Sequence, residues 1–529
     1  MAESKKSVRF WGIFVALCIL AFISALDVSI VMVALPRITA EIGGAGKYVW
    51  IANSFVVASS VPQPLFGQLA NVFGRQLPFI GSTVLFALGS GIAGGAHNVE
   101  MLIAGRTIQG VGAGGIYVLL DIVCCDLVPL RERGKYLGLM FSWSGVAAGM
   151  GPVVGGALAE ANWRWIFYMN IPICGVALLA ILIFMRMKKQ KEPQGIDVLG
   201  NLIFIPSVLA VLFGLVTGGI EYPWNSWRII LPLVVGVVGW IVFHVQQHFA
   251  HYPSVPERLF SNRTSTTAFA LTFLSSVMVQ SSGYFLPVFF QAVLGTTVVQ
   301  SGVNFLPFAL GTLVFAVVAG VLMEKTGAYK PLHAASFAIA AVGFGLFTLL
   351  DDSTAKWATF QLIVSGGLGL TLSTLLPAIL ASLPESDVAS STATYSFVRT
   401  FGYVWGVTIA STIFNGVFDH NLPHISSLEL RQQLRHGQAY GFASRARLVR
   451  AATPPNLWAE VIDVYQRSLR TIWFICMGIS IACFCLVWVE KSIPLRKELD
   501  TQYGIDEKKQ HSSHDGADAT ELTETKEKS

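Results

Sequence analysis

The chain has 529 residues, 53% of them hydrophobic and only 13% charged, about half the charged share of roughly 25% found in soluble domains. Such a chain cannot cover a water-facing surface, so lipid must be the solvent for most of it. The formal charge of +5 is scattered between apolar runs, which argues against nucleic acid as a partner.

A membrane span needs about 20 apolar residues, and fourteen runs meet this: 11–33, 49–69, 77–95, 101–123, 136–158, 166–185, 198–218, 228–246, 266–289, 301–323, 331–350, 357–382, 394–417 and 471–489. The short basic N-tail, 1–10, precedes a run too long for the roughly 7–15-residue core of a secretory leader. The first run therefore reads as a retained span. Its "SALDVSIVMVALP" places Asp27 as the only acidic residue within it.

The run 101–123 contains "GRTIQGVGAGG", whose Gly110, Gly112 and Gly115 match the dinucleotide-loop pattern G-x-G-x-x-G. That reading requires a preceding strand and a tight turn, and non-helical backbone here would leave amides unpaired in hydrocarbon. The small residues Gly110, Ala113 and Gly114 instead read as a groove that lets a neighbouring helix approach. Arg106 lies deep in the same run, with Gln109 nearby. A charge at that depth must face a cavity or a partner, and Asp27 is the candidate carboxylate. Such a pair could bind a proton in one conformation and release it in another. Asp121 lies near the helix end, where it is expected to face water or Arg131.

Further along, "AAGMGPVVGGALAE" sets Pro152 among Gly151, Gly155 and Gly156. Proline removes a backbone donor and bends the helix, and the glycines permit close packing, so this segment reads as a pivot between halves. Runs 198–218 and 228–246 stand between two sets of six runs. The second half holds "SFVRTFGYVWGVTIAS", which puts a second intramembrane arginine, Arg399, beside Gly402 and Gly406. Polarity and periodicity suggest a cavity lined by Asn53, Phe55, Gln280, Tyr284, Phe285 and Gln291. Apart from Asp27 and Arg106 it would hold little fixed charge, favouring neutral or weakly charged substrates.

The seven cysteines lie in or at the ends of apolar runs and suggest neither disulfides nor zinc. His244 and His248 make only a weak metal signal, so no metal, cofactor or catalytic group is expected. The sequon at Asn262 falls in an inner loop, where it would stay unmodified. In the long segment 418–470, "AEVIDVYQRSL" gathers Val461, Val464, Tyr465 and Leu469 on one helical face. That face either lies on the membrane or outer helix ends, or belongs to a short helix in a solvated loop. The tail 490–529 is polar and is expected to be disordered.

With both termini cytoplasmic, the short inner loops hold Arg75, Arg131, Arg133, Lys135, Arg186, Lys188, Lys189, Lys191, Arg258, Arg263, Lys325 and Lys330. The short outer loops hold only Arg37, Lys47, Arg164, Arg228 and Lys356, which satisfies the positive-inside rule. The arginines of 418–470 oppose it, but long loops carry less weight in that rule.

These residues resemble a known family. "LIAGRTIQGVGAGG" looks like the helix-four motif of the major facilitator superfamily, through Arg106, Gln109, Gly110 and Gly112. "GQLANVFGRQ" resembles its helix 2–3 signature through Gly67, Leu69, Gly74 and Arg75, and the Gly151-Pro152 segment resembles the helix-five antiporter motif. "LDVSIVMVALP" and "NWRWIFYMNIP" are similar to signatures of the fourteen-helix drug:proton antiporters, the fungal multidrug and secondary-metabolite exporters being closest in type. "GVLMEKTGAYKPL" is a degenerate copy of the helix 2–3 loop in the second half. Asn71 departs from the family's usual Asp; it can still cap a helix but supplies no charge to the inner-face lock.

The resemblance implies an all-α membrane protein of the major facilitator fold, with a bundle over 11–185, linker helices over 198–246 and a second bundle over 266–489. It implies export of hydrophobic or amphipathic small molecules, driven by protons, by a monomer in the plasma membrane or a vacuolar or vesicle membrane. The alternatives are a proton-coupled importer, such as a siderophore transporter, and a membrane sensor that moves nothing.

Overall fold

The computed structural model describes residues 6–42, 48–185, 195–219, 221–435 and 437–498. Among the described residues twenty α-helices follow one another: α1 Val8–Ile42, α2 Tyr48–Ser60, α3 Gln63–Phe73, α4 Gln76–Gly94, α5 Val99–Leu127, α6 Leu130–Asn162, α7 Trp165–Tyr168, α8 Asn170–Phe184, α9 Val198–Thr217 and α10 Trp227–Phe249. The second half adds α11 Arg263–Val288, α12 Val298–Thr326, α13 Lys330–Phe347, α14 Thr354–Leu372, α15 Leu375–Ala381, α16 Val388–Asn421, α17 Leu428–Leu434, α18 Gln438–Phe442, α19 Ala446–Ala452 and α20 Pro455–Val487. An all-helical fold is the expected answer to a lipid solvent, because a helix pairs its own backbone groups.

Among the described residues, twelve helices are long and apolar enough to cross a membrane. Of the fourteen apolar runs, two lie outside these twelve. The run at 49–69 is split at Val61 and Pro62 into α2 and α3, since a proline inside the run removes a backbone bond. The other, 136–158, lies within α6, 33 residues long, where part of the run falls outside the described residues. Several ends are fixed by side chains: Asn98 Oδ1 accepts from the Met101 amide at 2.8 Å, and Asn262 Oδ1 accepts from Thr264 and Ser265. The sequon asparagine is thus a helix cap. Gly327 ends α12 at φ +70°, a left-handed conformation suited to glycine.

In the first half α1 packs on α6, and α5 packs between α2 and α4; in the second α11 packs on α16 and α14 on α12 and α13. The halves meet where α6 lies along α12 and α3 along α16. The linker helices α9 and α10 pack on each other, and α9 touches both α2 and α16. Trp240 of α10 sits against Phe397 and Phe401 of α16, while the Asp197 and Asn201 cluster holds Gln68 of α3. The inserted pair therefore bridges the two halves.

One expectation is narrowed to its packed alternative, and a second changes. The amphipathic "AEVIDVYQRSL" belongs to the last long helix, α20, which starts sixteen residues before the apolar run. Val461, Val464, Tyr465 and Leu469 are buried, with Tyr465 against Phe414 and Phe418 and donating to the Ala439 carbonyl at 2.6 Å. The polar tail is also packed at its start. The Lys491 amide donates to Thr264 Oγ1, Lys330 holds the Glu490 carbonyl, and Arg496 Nη2 holds the Leu383 carbonyl. These partners come from α11, α13 and the 382–387 turn, which a polarity reading of the tail cannot supply. Residues 499–529, including His511 and His514, lie outside the described residues, as do Lys47 and the loop basic residues Arg186 to Lys191.

Candidate functional site

The centre of the first half is a buried polar cluster on α1, α4, α5 and α8. Asp27 and Arg106 are ion-paired, 1% and 2% exposed. Gln109 Nε2 donates to Asp27 Oδ1 at 2.8 Å, and Asn170 Nδ2 donates to the same oxygen at 2.8 Å. Arg106 also donates to Gln109 Oε1 at 2.7 Å. Both amides reach Ser90 Oγ, at 2.8 and 3.2 Å. The guanidinium lies over the Phe55 ring, 4.3 Å from its centroid, while Arg106 Nε has no hydrogen-bond partner. The pairing of Asp27 with Arg106 follows from charge at depth. Asn170 and Ser90 were missed, and the only signal was an amide inside the "NWRWIFYMNIP" signature.

The glycines of α5 allow this cluster to form. A Cβ at Gly110 would fall 2.6 Å from the Phe55 carbonyl, and one at Gly112 would fall 2.4 Å from the Phe86 amide. At Gly114 it would meet the Ser59 carbonyl at 2.2 Å, and at Gly115 the Ser82 hydroxyl at 2.1 Å. One face of α5 is therefore pressed on α2 and another on α4. That close approach brings Phe55 over Arg106 and Ser90 to Gln109.

A second set of charges gathers at the proximal end, the end where α1 begins. Arg75 donates to Asp126 Oδ2 at 2.8 Å, to the Ala70 carbonyl at 2.7 Å and to Asn71 Oδ1 at 3.0 Å. Asn71, in the last turn of α3, thus serves Arg75, and among the described residues its side chain makes no helix-capping bond. Gly74 has φ +78°, and a Cβ at Gly67 would meet that of Ala393 at 2.5 Å, so α3 presses on α16 across the seam. Ion pairs join the halves here: Arg133 to Glu385 at 2.9 Å and Lys135 to Glu324 at 3.2 Å. Arg131 reaches the Glu324 and Lys325 carbonyls at 2.5 and 2.6 Å. The degenerate second-half motif supplies Glu324, together with Gly320, whose Cβ would meet the Gly134 carbonyl at 2.4 Å. The proximal end is closed.

Four residues sit differently from the sequence reading. Asp121 does not face Arg131; it is buried and paired with Arg399 of α16 at 3.2 Å, because the seam brings α5 to α16. Gly151 and Gly155 do not face the other half: their Cβ positions would meet Ser29 and Ile30 of α1. Gly156 meets nothing within 4 Å, and the Pro152 side chain lies outside the described residues. The seam uses other glycines of the same helix, Gly134, Gly138 and Gly145, set against α12. Phe285 is fully buried against Phe414 and Tyr440 and so belongs to packing rather than to an open wall. Of the other cavity candidates, Tyr284 stacks on Tyr440, Gln291 donates to Ser301 at 2.9 Å, Gln280 abuts Gly406 and Asn53 is half-buried.

A Gly138→Leu substitution tests the seam. Its Cβ would lie 2.9 Å from the Ala316 carbonyl and 3.2 Å from Val317 Cα, so the larger side chain forces the halves apart. Transport is expected to fall about tenfold or more, with the protein still folded, an overpacking cost of roughly 1–3 kcal/mol falling on the closed arrangement. Unaltered transport would show that closure does not need this contact.

Among the described residues no group of three or more His, Cys, Asp and Glu could hold a metal ion. His244 accepts from Trp240 Nε1, and His248 pairs with Glu257.

The Major Facilitator Superfamily model matches residues 17–407. The chain is 44% identical over 512 residues to the "MFS efflux transporter aclA" of Aspergillus oryzae, covering 95% of this chain and 92% of that protein. It is 41% identical over 529 residues to the "MFS-type efflux pump LUC4" of Fusarium sp, covering 97% and 94%. Its fold is similar to the human organic anion transporter MFSD10, with TM-score 0.59 at 13% identity, covering 91% of this chain and all of that one. The buried charge cluster, the glycine-packed helix α5 and the closed seam between two bundles thus belong to a chain that is a multi-pass membrane member of the major facilitator superfamily, kin to fungal efflux transporters.

Proposed function

We propose that this protein exports hydrophobic or amphipathic small molecules in exchange for protons, by alternating access between two six-helix halves. In this reading fourteen segments span the membrane, α2 with α3 and α6 completing the set, and the proximal end faces the cytoplasm. The observation that carries it is the buried pair of Asp27 and Arg106, set in amide donors at membrane depth. An intramembrane carboxylate of this kind is a proton-relay candidate by default. The relatives named as efflux transporters supply the direction. Repeated halves around a central site are the architecture that alternating access requires, and a closed proximal end is one of its two arrangements.

The test is uptake of a panel of dyes and fungal toxins into inside-out vesicles under an imposed proton gradient. Uptake that collapses on adding a protonophore is the expected result. Accumulation only in right-side-out vesicles would make the protein an importer, and uptake indifferent to the gradient would remove the proton.

A further inference from the structure

Asp27 and Asp121 differ in where their partners lie. The donors to Asp27 named above, Arg106, Gln109 and Asn170, are in its own half. The donors to Asp121, by contrast, come from the opposite half: Ser396 Oγ and Arg399 Nη2, each at 3.2 Å to Oδ2. Both members of this second pair are buried, the Asp121 side chain at 2% exposure and Arg399 at 11%. Other groups near Asp121 are Tyr395 and Tyr403 on α16, and Tyr117, Cys124 and Cys125 on its own helix, where Cys18 of α1 and Arg133 of α6 interact with the cysteines. Tyr117, one turn before Asp121, lies within electrostatic reach of Asp27 and Arg106 as well as of Arg399 and Tyr403. Arg399 also stands over the rings of Phe141 and Tyr395, and its Nη1 has no hydrogen-bond partner.

A proton shifts a conformational equilibrium only if it binds the two conformations with different affinity. Separating the halves at the proximal end leaves the surroundings of Asp27 intact but removes the named donors from Asp121. We propose that Asp121 and Arg399 form a proton-released latch: a proton added to the Asp121 carboxylate cancels its attraction to Arg399 and lets the proximal end open. The proton leaves to water at that end, and the restored carboxylate recaptures Arg399 on closing. Protonation thus favours the arrangement open at the proximal end, the sign that exchange of inward protons for outward substrate requires. The latch rests on the proton-coupled reading above and adds a second carboxylate to it. The other pairs across this end differ in kind: Lys135 and Glu324 are 40% and 24% exposed, so water can replace the contact, while Glu385 has Arg496 as a second partner beside Arg133.

The experiment places spin labels at Phe73→Cys and Lys325→Cys, exposed positions at the proximal end of opposite halves, in the full chain with Cys485→Ser. Distances are measured in lipid nanodiscs without substrate. Wild type is expected to show a short distance that lengthens on acidification. Asp121→Asn, nearly the same shape, should raise the ratio of long to short distances about 100-fold and abolish the response to acid, because removing one partner strands a buried charge. Arg399→Gln should lengthen the distance likewise, and Asp121→Glu should keep it short. An Asp121→Asn protein that stays short, or that answers acid as wild type does, overturns the latch. Gradient-driven uptake by wild type is read separately, so a failed latch leaves the exporter reading intact. A wild type without such uptake removes the proton coupling whatever the distances show.

Discussion

Asp27→Asn is expected to reduce gradient-driven uptake to the level seen with the gradient collapsed, a loss of about tenfold or more. Asparagine keeps the shape and can still accept from Gln109 and Asn170, but it cannot exchange a proton. The substitution also leaves Arg106 without its counter-charge in a site 2% exposed, and breaking a buried pair in this way typically costs about 3–5 kcal/mol. Two contacts to the guanidinium survive the substitution: the hydrogen bond to Gln109 Oε1 at 2.7 Å and the Phe55 face 4.3 Å away, the latter worth up to about 2 kcal/mol when desolvated. The measurement pairs gradient-driven uptake with substrate exchange at equal pH on both sides. Loss of the first with survival of the second assigns Asp27 to proton coupling. Loss of both assigns it to folding or substrate binding, and survival of both removes it from the mechanism.

The second large effect is expected at Gly112. A Gly112→Val side chain would begin 2.4 Å from the Phe86 amide nitrogen and 2.6 Å from the Ser82 carbonyl. Both are backbone atoms of α4, which no rotamer change can move. The helices must part, and α5 then loses the contact that sets Ser90 against Gln109. A cost above about 3 kcal/mol is expected, at the upper end of overpacking effects, and most of the protein should fail to fold. Monodispersity and thermal stability of detergent extracts read this directly. Gly156→Ala is the control, because nothing lies within 4 Å of its Cβ, and it should behave as wild type. A folded, stable Gly112→Val would show that the close helix contact is dispensable.

How much of this was legible in the chain depends on the range of the interaction. Hydropathy found the long helices, though not all of their ends (α20 begins sixteen residues before its apolar run), because burying an unpaired backbone in lipid is so costly that an apolar run has few alternatives to a helix. The same cost ruled out the nucleotide loop at Gly110 to Gly115 and turned those glycines into a helix-packing face. It also made Arg106 look for a carboxylate, and α1 offered only Asp27.

Contacts between distant segments were not legible. Asn170 and Ser90 are ordinary polar residues until α8 and α4 bring them to Asp27, and Asp126 is one more acid at a helix end until the loop folds Arg75 onto it. Asp121 was assigned to the nearest basic loop because sequence distance was the only guide; its partner is 278 residues away on α16. Pro152 and its glycines looked like the pivot, yet Gly151 and Gly155 face α1 while Gly138 faces α12. One long helix presents several faces, and which face meets which neighbour is decided by the packing of all the others. The sequence by itself determined the solvent, the helices, the charges held at depth and the family. The tertiary structure alone decided which charges meet across the seam, because that depends on the fit of surfaces far apart in the chain, where no local rule operates.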